Sequence, residues 1–489
     1  DITVLQTNMN LTLKKRPVVM MVLIDNYDEA IGNKNNGEET RLIAEVRDTI
    51  QAFVDETTGF IKRLDRDRYI MIVEKTHLDN IIKNRFDVLD KTRKVTTAGH
   101  TPVTLSIGVS TVKTTFAQAE KESRQALDMA LGRGGDQAAI KTDTGYEFFG
   151  GYSKGIEKRT KVKTRMVASA LTELIKSADN VLIMGHKFAD LDCLGSAIGM
   201  AKAVSSFGKK VNIVLDTHRN LADSMLKRVL DTEQQLLCLP EFATDLISDK
   251  TLLIIVDTHS QALVESEKVY KRCKQVVIID HHRKVVNHID NAVIFYHEPY
   301  ASSASEMVAE LIQYFGDQCE LTHMEAEALL AGITLDTRNF IIKTGVRTFE
   351  AAAYLRRLGA DTVEVRKLFA STMDSYQRKT RVVASAEIYN DCAFAICDFI
   401  SEDLRIIAPQ AADELLGISN VKASFVLYEQ DDVVNVSARS MGALNVQLIM
   451  EKLGGGGHLT MAGAQVSNSN CEKVRQSLLE IVYQYNEQE

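Results

Sequence analysis

A histidine and two aspartates follow directly after a short apolar run near the middle of the chain. The run covers residues 181–184, and His186, Asp190 and Asp192 come just after it. Such a run predicts a buried strand of a parallel sheet, followed by a loop and then by a helix over 194–204. Open α/β folds place ligands at the carboxyl ends of these strands. One imidazole and two carboxylates there predict half of a site for a divalent cation.

Three further apolar segments end in the same residue types. Runs at 251–256 and 275–279 predict buried strands, and the segment 328–334 is either helical or strand-like. The residues that follow these segments are Asp257, Asp280, His281, His282 and Asp336. Any one aspartate is as readily explained as a turn residue or a helix cap. The whole set is not, so the sequence predicts a shared metal site.

Size and charge restrict the classes of protein to which the chain can belong. Its 489 residues predict about three domains. A formal net charge of −8 argues against binding to long nucleic acids, although small phosphorylated ligands remain compatible with it. Seven cysteines without CxxC spacing fit a reducing compartment. No apolar run reaches the length of a membrane-spanning helix, and the start at Asp1 leads us to expect a processed or truncated piece.

The first 148 residues resemble a GGDEF domain, the nucleotidyl-cyclase-like fold of diguanylate cyclases. A predicted strand over 16–23 is followed by Asp25, a hairpin covers 59–73, and a strand at 104–110 precedes a helix over 117–131. Where the family has Gly-Gly-Asp-Glu-Phe, the hairpin here has Asp-Arg-Asp-Arg-Tyr at 65–69. Side chains replace the two glycines that let a nucleotide approach the backbone. Asp25 and Asp67 still suffice for one metal ion, but cyclisation of GTP is not expected.

Two interpretations of this degenerate domain stay open. It is either a regulatory domain that binds ATP or another nucleotide, or a scaffold without a ligand. A basic segment follows it at 149–165, which we interpret as a solvated linker.

Near the carboxyl terminus, four consecutive glycines at 454–457 precede His458. Such a run exposes backbone amides to a ligand phosphate or base, although a flexible loop explains it equally well. A Ser-Ala-Arg-Ser sequence at 437–440 lies upstream and supplies Arg439 as a donor. The pairing predicts a substrate-binding loop in a last domain over 387–489.

Residues 181–489 resemble the DHH phosphoesterase superfamily with its DHH-associated domain. The motifs that carry the resemblance are the His-x3-Asp-x-Asp run from His186, Asp257, the Asp-His-His run from Asp280, Asp336 and the Gly-rich loop. With a degenerate GGDEF domain in front, the whole chain resembles the GdpP-type cyclic-di-AMP phosphodiesterases. Members of that family carry two membrane helices and a PAS domain before the GGDEF-like domain. The resemblance therefore implies the cytoplasmic portion of a membrane-anchored parent.

The resemblance implies two Mn²⁺ ions and a role for each motif residue. His186 and Asp190 hold the first ion, Asp192, His281 and Asp336 hold the second, and Asp257 bridges them. Asp280 and His282 orient ligands and contact phosphate, and His282 or water protonates the leaving oxygen. The substrate-binding residues implied for the last domain are Arg439, Ser440, Gly455, Gly456, Gly457 and His458. The implied reaction is attack of a metal-activated hydroxide on c-di-AMP, giving linear pApA.

The expected fold class is α/β. A GGDEF-like domain (1–148) and the linker precede a doubly wound, parallel-sheet DHH domain (166–345), a helical connector (346–386) and a smaller mixed α/β domain (387–489). We also expect a homodimer. Two other functions stay open: an exonuclease for short linear oligonucleotides, and a nucleotide-sensing module that only binds. An inorganic pyrophosphatase would need a cation-rich clamp in place of the glycine loop.

Overall fold

The computed structural model describes residues 14–25, 27, 36–96, 102–111, 113, 115–143, 145–150, 161–284, 287–316, 318–370, 372–401, 403–430, 432–457 and 460–486. The chain forms two compact units, Asp1–Leu368 and Phe369–Glu489. The described residues form three six-stranded sheets, two in the first unit and one in the second. Among the described residues, no helix has the length and apolar content that a membrane crossing requires.

The first sheet lies in the GGDEF-like region and has the order β2-β3-β1-β4-β5-β6. Its strands are β1 (Pro17–Ile24), β2 (Phe60–Arg63), β3 (Arg68–Glu74), β4 (Leu105–Thr111), β5 (Gln137–Lys141) and β6 (Tyr146–Gly150). The helices of this region are α1 (Asn36–Asp55), α2 (Lys75–Lys83), α3 (Val88–Arg93) and α4 (Phe116–Gly132). The central strand β1 is antiparallel to both of its neighbours, β3 and β4. The predicted hairpin is confirmed as the antiparallel pair β2 and β3.

The second sheet is wholly parallel, with the order β12-β11-β10-β7-β8-β9. Its strands are β7 (Asn180–Met184), β8 (Lys210–Val214), β9 (Leu237–Cys238), β10 (Leu252–Val256), β11 (Gln275–Asp280) and β12 (Ile294–His297). The helices around it are α5 (Lys161–Ser177), α6 (Leu191–Ser206), α7 (Asp223–Glu233), α8 (Pro240–Ala243), α9 (Glu267–Arg272), α10 (Ala304–Ile312), α11 (His323–Asp336), α12 (Val346–Arg357) and α13 (Thr362–Leu368). The predicted doubly wound parallel sheet is confirmed.

Burial on both faces explains why the central strands of this sheet are continuously apolar. Leu182, Ile254 and Ile278, one from each of β7, β10 and β11, have no exposed surface. Each side chain buried in this way contributes about 1.5–3 kcal/mol. Parallel strands covered by helices on both faces need such runs rather than an alternating pattern.

Two glycines allow helices to approach the metal-ligand candidates closely. A Cβ at Gly195 of α6 would lie 2.3 Å from the carbonyl oxygen of Ala328 in α11. A Cβ at Gly332 of α11 would lie 2.6 Å from Asp192 Oδ1. The small residues therefore let α11 pack directly against α6, which brings the end of α11 to the start of α6.

The second unit is built on a mixed sheet of order β13-β14-β15-β16-β18-β17. Its strands are β13 (Glu387–Tyr389), β14 (Cys392–Ile396), β15 (Ala423–Gln430), β16 (Val433–Ser440), β17 (Gly456–Gly457) and β18 (Met461–Ser467). Its helices are α14 (Met373–Ala384), α15 (Leu404–Leu415), α16 (Val446–Glu451) and α17 (Cys471–Asn486). The mixed α/β composition predicted for this part of the chain is confirmed.

The predicted domain boundaries stay predictions. Residues 151–160 of the basic linker lie outside the described residues, and residues 161–165 belong to α5. The predicted helical connector contains α12, α13 and α14, and the boundary between the two units follows α13.

Candidate metal centre

The carboxyl ends of three neighbouring parallel strands bring the motif residues together. β7 lies beside β10, and β10 lies beside β11. His186 follows β7, Asp257 follows β10, and Asp280 is the last residue of β11. Asp336 arrives differently, as the last residue of helix α11, so the segment left open as helix or strand is a helix.

His281 is the centre of one group of ligand candidates. Its Nε2 atom lies 3.2 Å from Asp336 Oδ2, 3.3 Å from Asp257 Oδ1 and 3.8 Å from Asp192 Oδ2. These side chains are almost entirely buried, apart from Asp336, which is 17% exposed. One imidazole and three carboxylates therefore converge on a single small volume.

His186 forms a second group on the other side of Asp257. Its Nε2 lies 3.3 Å from Asp257 Oδ2 and 3.9 Å from Asp190 Oδ1. Its Nδ1 lies 2.8 Å from the carbonyl oxygen of Lys187, which fixes the orientation of the ring. The two oxygens of Asp257 thus face two different imidazoles, one in each group.

Asp190 and Asp192 are also bound to backbone amides. Asp190 Oδ1 accepts hydrogen bonds from the amides of Asp192 and Cys193, both at 3.0 Å, and so caps α6. Asp192 accepts from the amides of Ala304 and Ser305 at the start of α10, at 2.7 and 2.8 Å. The helix-cap explanation is therefore correct for Asp190, and the cap also holds its carboxylate beside His186.

Buried charge shifts the pKa values of this centre in opposite directions. Burial, together with the charge of Asp257, raises the pKa of Asp190 to about 6 and raises that of Asp192 well above its usual range. Burial would raise the pKa of Asp257 as well, but the His186 and His281 imidazoles hold it below its usual value. Burial opposes the charged form of His186, yet its hydrogen bond to Asp257 raises its pKa to about 10.

Two buried atoms indicate that the centre fits a cation. His281 Nε2 and Asp257 Oδ1 are covered from solvent and make no hydrogen bond among the described residues. An unsatisfied buried polar pair is costly unless something else binds it. Cys193 lies near His186 and Asp257, but burial raises the pKa of its thiol well above the usual range, which disfavours the thiolate that metals bind.

Asp280 and His282 pair with each other beside the carboxylates, and His282 forms a third group of ligand candidates with Asp257 and His281, its Nδ1 lying 3.5 Å from Asp257 Oδ1. Asp280 Oδ1 accepts from the backbone amide of His282 at 3.1 Å and lies 2.9 Å from its Nδ1. Burial opposes charge on both groups, but the Asp280 carboxylate raises the pKa of His282 to about 9. The His282 side chain is 41% exposed, in contrast to the buried His281.

His259 binds the other oxygen of Asp280 and is not among the site residues predicted from the sequence. Its Nδ1 pairs with Asp280 Oδ2, and the ring is 2% exposed. His259 follows the same strand as Asp257, two residues later. This spacing could have indicated a role for His259 in the sequence, because residues that closely follow the same strand lie at the same edge of the sheet.

Asp25 and Asp67 have different surroundings. Asp25 is 6% exposed, and its Oδ2 accepts from the backbone amide of Asp136 at 2.8 Å. Asp67 lies 3.9 Å from the guanidinium of Arg68. Neither belongs to the three groups of metal-ligand candidates among the described residues.

The candidate residues of the second unit have largely structural contacts. Arg439 Nε donates to Asp413 Oδ1 at 2.9 Å. Ser440 is buried, and its hydroxyl accepts from the amides of Gly442 and Leu444. Their substrate contacts stay predictions.

The glycine run is explained in part by strand pairing. A Cβ at Gly455 would lie 2.1 Å from Gly463 O, and one at Gly457 would lie 2.5 Å from Ala462 Cα. Gly456 has open space around it. His458 lies outside the described residues.

Family models match three parts of the chain. They are the cyclic-di-AMP phosphodiesterase GdpP-like GGDEF domain over 22–148, the DHH family N-terminal domain over 180–333, and the DHHA1 domain over 401–488. Among solved structures, an exopolyphosphatase-related protein from Bacteroides fragilis shares the fold with a TM-score of 0.58 and 22% identity. That match covers 68% of this chain and 98% of the other.

Two curated relatives bear on the family. The bifunctional oligoribonuclease and PAP phosphatase NrnA of Thermus thermophilus is 29% identical over 332 residues, which cover 67% of this chain and 95% of the relative. The cyclic-di-AMP phosphodiesterase GdpP of Geobacillus thermodenitrificans is 40% identical over 482 residues, which cover 97% of this chain and 73% of the relative. The chain therefore belongs to the family of GdpP-type cyclic-di-AMP phosphodiesterases.

Proposed function

We propose that the chain is a Mn²⁺-dependent phosphodiesterase that hydrolyses c-di-AMP to linear pApA. The observation that carries the proposal is the position of Asp257, whose two oxygens face His186 and His281 at 3.3 Å each. A carboxylate in that position is suited to bridge two cations. Similarity to the Geobacillus GdpP over 97% of this chain supports the choice of substrate.

The residues that would hold two Mn²⁺ ions fall into the two groups around Asp257. His186 and Asp190 would hold one ion, and Asp192, His281 and Asp336 the other. Four carboxylates and two imidazoles form a donor set that suits Mn²⁺ better than the thiolate-rich sites common for zinc. Two such ions supply an acidified water as the nucleophile and neutralise charge on the phosphoryl oxygens.

His282 would protonate the leaving 3′-oxygen. In the metal-free protein the Asp280 carboxylate raises the pKa of His282 to about 9 against the effect of burial, and the partial exposure of the ring leaves it accessible to substrate. Asp280 orients the His282 ring through Nδ1, and Nε2 would donate the proton. His259 holds the opposite oxygen of Asp280, so this carboxylate is fixed from two sides.

Residues of the second unit would bind the distal half of the dinucleotide. Arg439 would contact phosphate, and the open backbone at Gly456 would accept close approach by a base. We also propose that the GGDEF-like domain binds ATP or another nucleotide, that the chain is a homodimer, and that its longer parent is anchored in the membrane.

The first test is hydrolysis of c-di-AMP by metal-stripped protein, with Mn²⁺ added back and pApA assayed in parallel. Mn²⁺-dependent conversion of c-di-AMP to pApA that then accumulates is the expected result. Faster attack on pApA than on the cyclic substrate would contradict the proposal. It would favour the short-oligonucleotide exonuclease, the candidate to which the similarity to NrnA points.

A further inference from the structure

A cavity of about 590 Å³ lies beside the metal centre, at the same edge of the parallel sheet. Its walls come from the segments that follow β7, β8, β9 and β10, which are neighbours in the sheet. The metal-ligand candidates follow β7, β10 and β11. Two segments are therefore shared: the one after β7 carries His186 and the cavity residues Lys187 and Phe188, and the one after β10 carries Asp257 and the cavity residue Glu265. The volume is within the range of small-molecule sites.

Phe188 presents an exposed aromatic ring to this cavity, and its own backbone conformation is strained. Its ring is 47% exposed, and its φ is +59°, a conformation that bulky residues rarely adopt. Backbone hydrogen bonds hold both sides of it: Lys187 N donates to Leu263 O, and Leu221 N donates to Ala189 O, both at 2.8 Å. Strain of about 1–3 kcal/mol that the surrounding structure maintains is typical of functional sites.

The remaining walls suit a flat molecule that is apolar on its faces and polar at its edges. Leu239 and Pro240 add apolar surface. Lys187 and Arg219 supply positive charge, and Asp216, Glu241 and Glu265 supply negative charge. A purine base combines such faces with hydrogen-bonding edges, and stacking on aromatic side chains is its usual mode of binding.

Glu265 offers a specific acceptor for such a base. Its Oε2 is covered from solvent and accepts no hydrogen bond among the described residues. Its backbone amide donates to Gly185 O at 2.8 Å, so the residue is fixed beside the loop that carries His186. The exocyclic amino group of adenine is a donor that would satisfy this oxygen.

We propose that this cavity binds one adenine base of the substrate, with the ring stacked on Phe188 and its exocyclic amine bound to Glu265. The inference rests on the proposed function, because it places the base next to the phosphate that reacts. Lys187 follows His186 in the chain and lines the cavity, and its Nζ donates to the carbonyl oxygen of Ala262 at 3.0 Å. The cavity thus determines which base is accepted, and the metal centre performs the chemistry.

The test compares c-di-AMP with the cyclic dinucleotide of hypoxanthine, in which oxygen replaces each 6-amino group. With the full chain and Mn²⁺, Phe188→Ala should raise KM for both substrates about tenfold, since stacking is lost, with kcat within about threefold. Glu265→Ala should raise KM about tenfold for c-di-AMP alone, so that the preference of the wild-type chain for adenine disappears. Phe242→Ala and Glu173→Ala remove exposed side chains of the same types outside the cavity and should leave KM unchanged.

The outcomes separate this inference from the proposed function. A wild-type chain that prefers pApA to c-di-AMP contradicts the proposed function, and the same variants are then compared on pApA and its hypoxanthine analogue. Where turnover is absent, calorimetric Kd values for the same nucleotides replace KM. An unchanged KM or Kd in Phe188→Ala, or a Glu265→Ala effect equal for both bases, would overturn the adenine site. Urea unfolding of each variant shows whether a change in KM or Kd results from misfolding.

Discussion

Asp25 and Asp257 are buried aspartates that each follow a central strand of the first unit, and only Asp257 belongs to the candidate metal centre. Asp25 follows β1 in the GGDEF-like region, and Asp257 follows β10 in the DHH region. The neighbours of β10 are parallel to it, so their carboxyl ends deliver His186 and His281 to the same edge. The neighbours of β1 are antiparallel to it, so their carboxyl ends lie at the opposite edge. Strand direction therefore decides whether a single aspartate acquires partners.

The contacts of the two carboxylates differ accordingly. Asp257 lies 3.3 Å from the imidazoles of both His186 and His281, and 3.5 Å from that of His282. Asp25 accepts from the amide of Asp136, which ties the end of β1 to the turn after α4. We infer that Asp257 serves chemistry and that Asp25 serves mainly the structure of its own domain.

The largest expected effect is that of Asp257→Asn. Loss of the charge between His186 and His281 should lower the rate of Mn²⁺-dependent c-di-AMP hydrolysis by about 10³-fold or more, because both proposed ions lose a shared ligand. The measurement is initial rate at saturating Mn²⁺, with urea unfolding of the metal-free protein as the control for folding. Near-wild-type activity would exclude the two-metal assignment.

A smaller effect is expected at His259, which pairs with Asp280 Oδ2. His259→Phe should lower kcat about 10–100-fold, a loss typical of groups that orient active-site side chains. His259→Asn places an amide donor near the position of Nδ1 and should recover most of the rate.

His77→Phe is the matched control, since that histidine lies in the GGDEF-like region and contacts Thr58. Equal losses in His259→Phe and His259→Asn would mean that the residue fills space rather than positions Asp280. If the pH profile of kcat shifts in His259→Phe but not in the other variants, His259 acts on the reaction through the Asp280–His282 pair.

Metal affinity should depend on pH at the centre around Asp257. Without metal, the hydrogen bond to Asp257 raises the pKa of His186 to about 10, so this imidazole carries a proton at neutral pH. A bound ion must displace that proton, so affinity rises with pH, by up to about tenfold per unit for each proton released. Calorimetric titrations with Mn²⁺ at pH 6.5, 7.5 and 8.5 measure the affinity. Repeating them in two buffers of different ionisation enthalpy gives the number of protons released. Affinity independent of pH would contradict the role of His186 as a ligand.

The sequence predicted most of the residues that converge at the candidate metal centre, because the determinants of their positions are local. Each buried strand is a continuous apolar run, and the residue after the run is fixed by the strand end. Asp336 was harder to place, since its position depends on close packing of α11 against α6 at Gly195 and Gly332. No local pattern indicates that these helices touch.

Contacts between distant side chains were beyond sequence reasoning. His259 acquires its role only through Asp280, 21 residues later in the chain. The sequence predicts Gly455 and Gly457 as ligand-binding residues, yet the close approach of β18 leaves no space for a Cβ at either position. Glycine permits any neighbouring group to approach the backbone closely. A glycine alone therefore does not show whether that neighbour is a paired strand or a bound ligand.

The smallest expected effect is that of Asp25→Asn, the same chemical change as Asp257→Asn at the other strand end. The asparagine oxygen still accepts from the amide of Asp136, but without charge the hydrogen bond is weaker, at a cost of about 1 kcal/mol in the free energy of unfolding. Hydrolysis of c-di-AMP should stay within about twofold of wild type, because no metal ligand is lost. Urea unfolding and initial rates measured on one preparation check both values. A tenfold loss of rate would reverse the comparison, since the aspartate of the GGDEF-like region would then control chemistry in the DHH region.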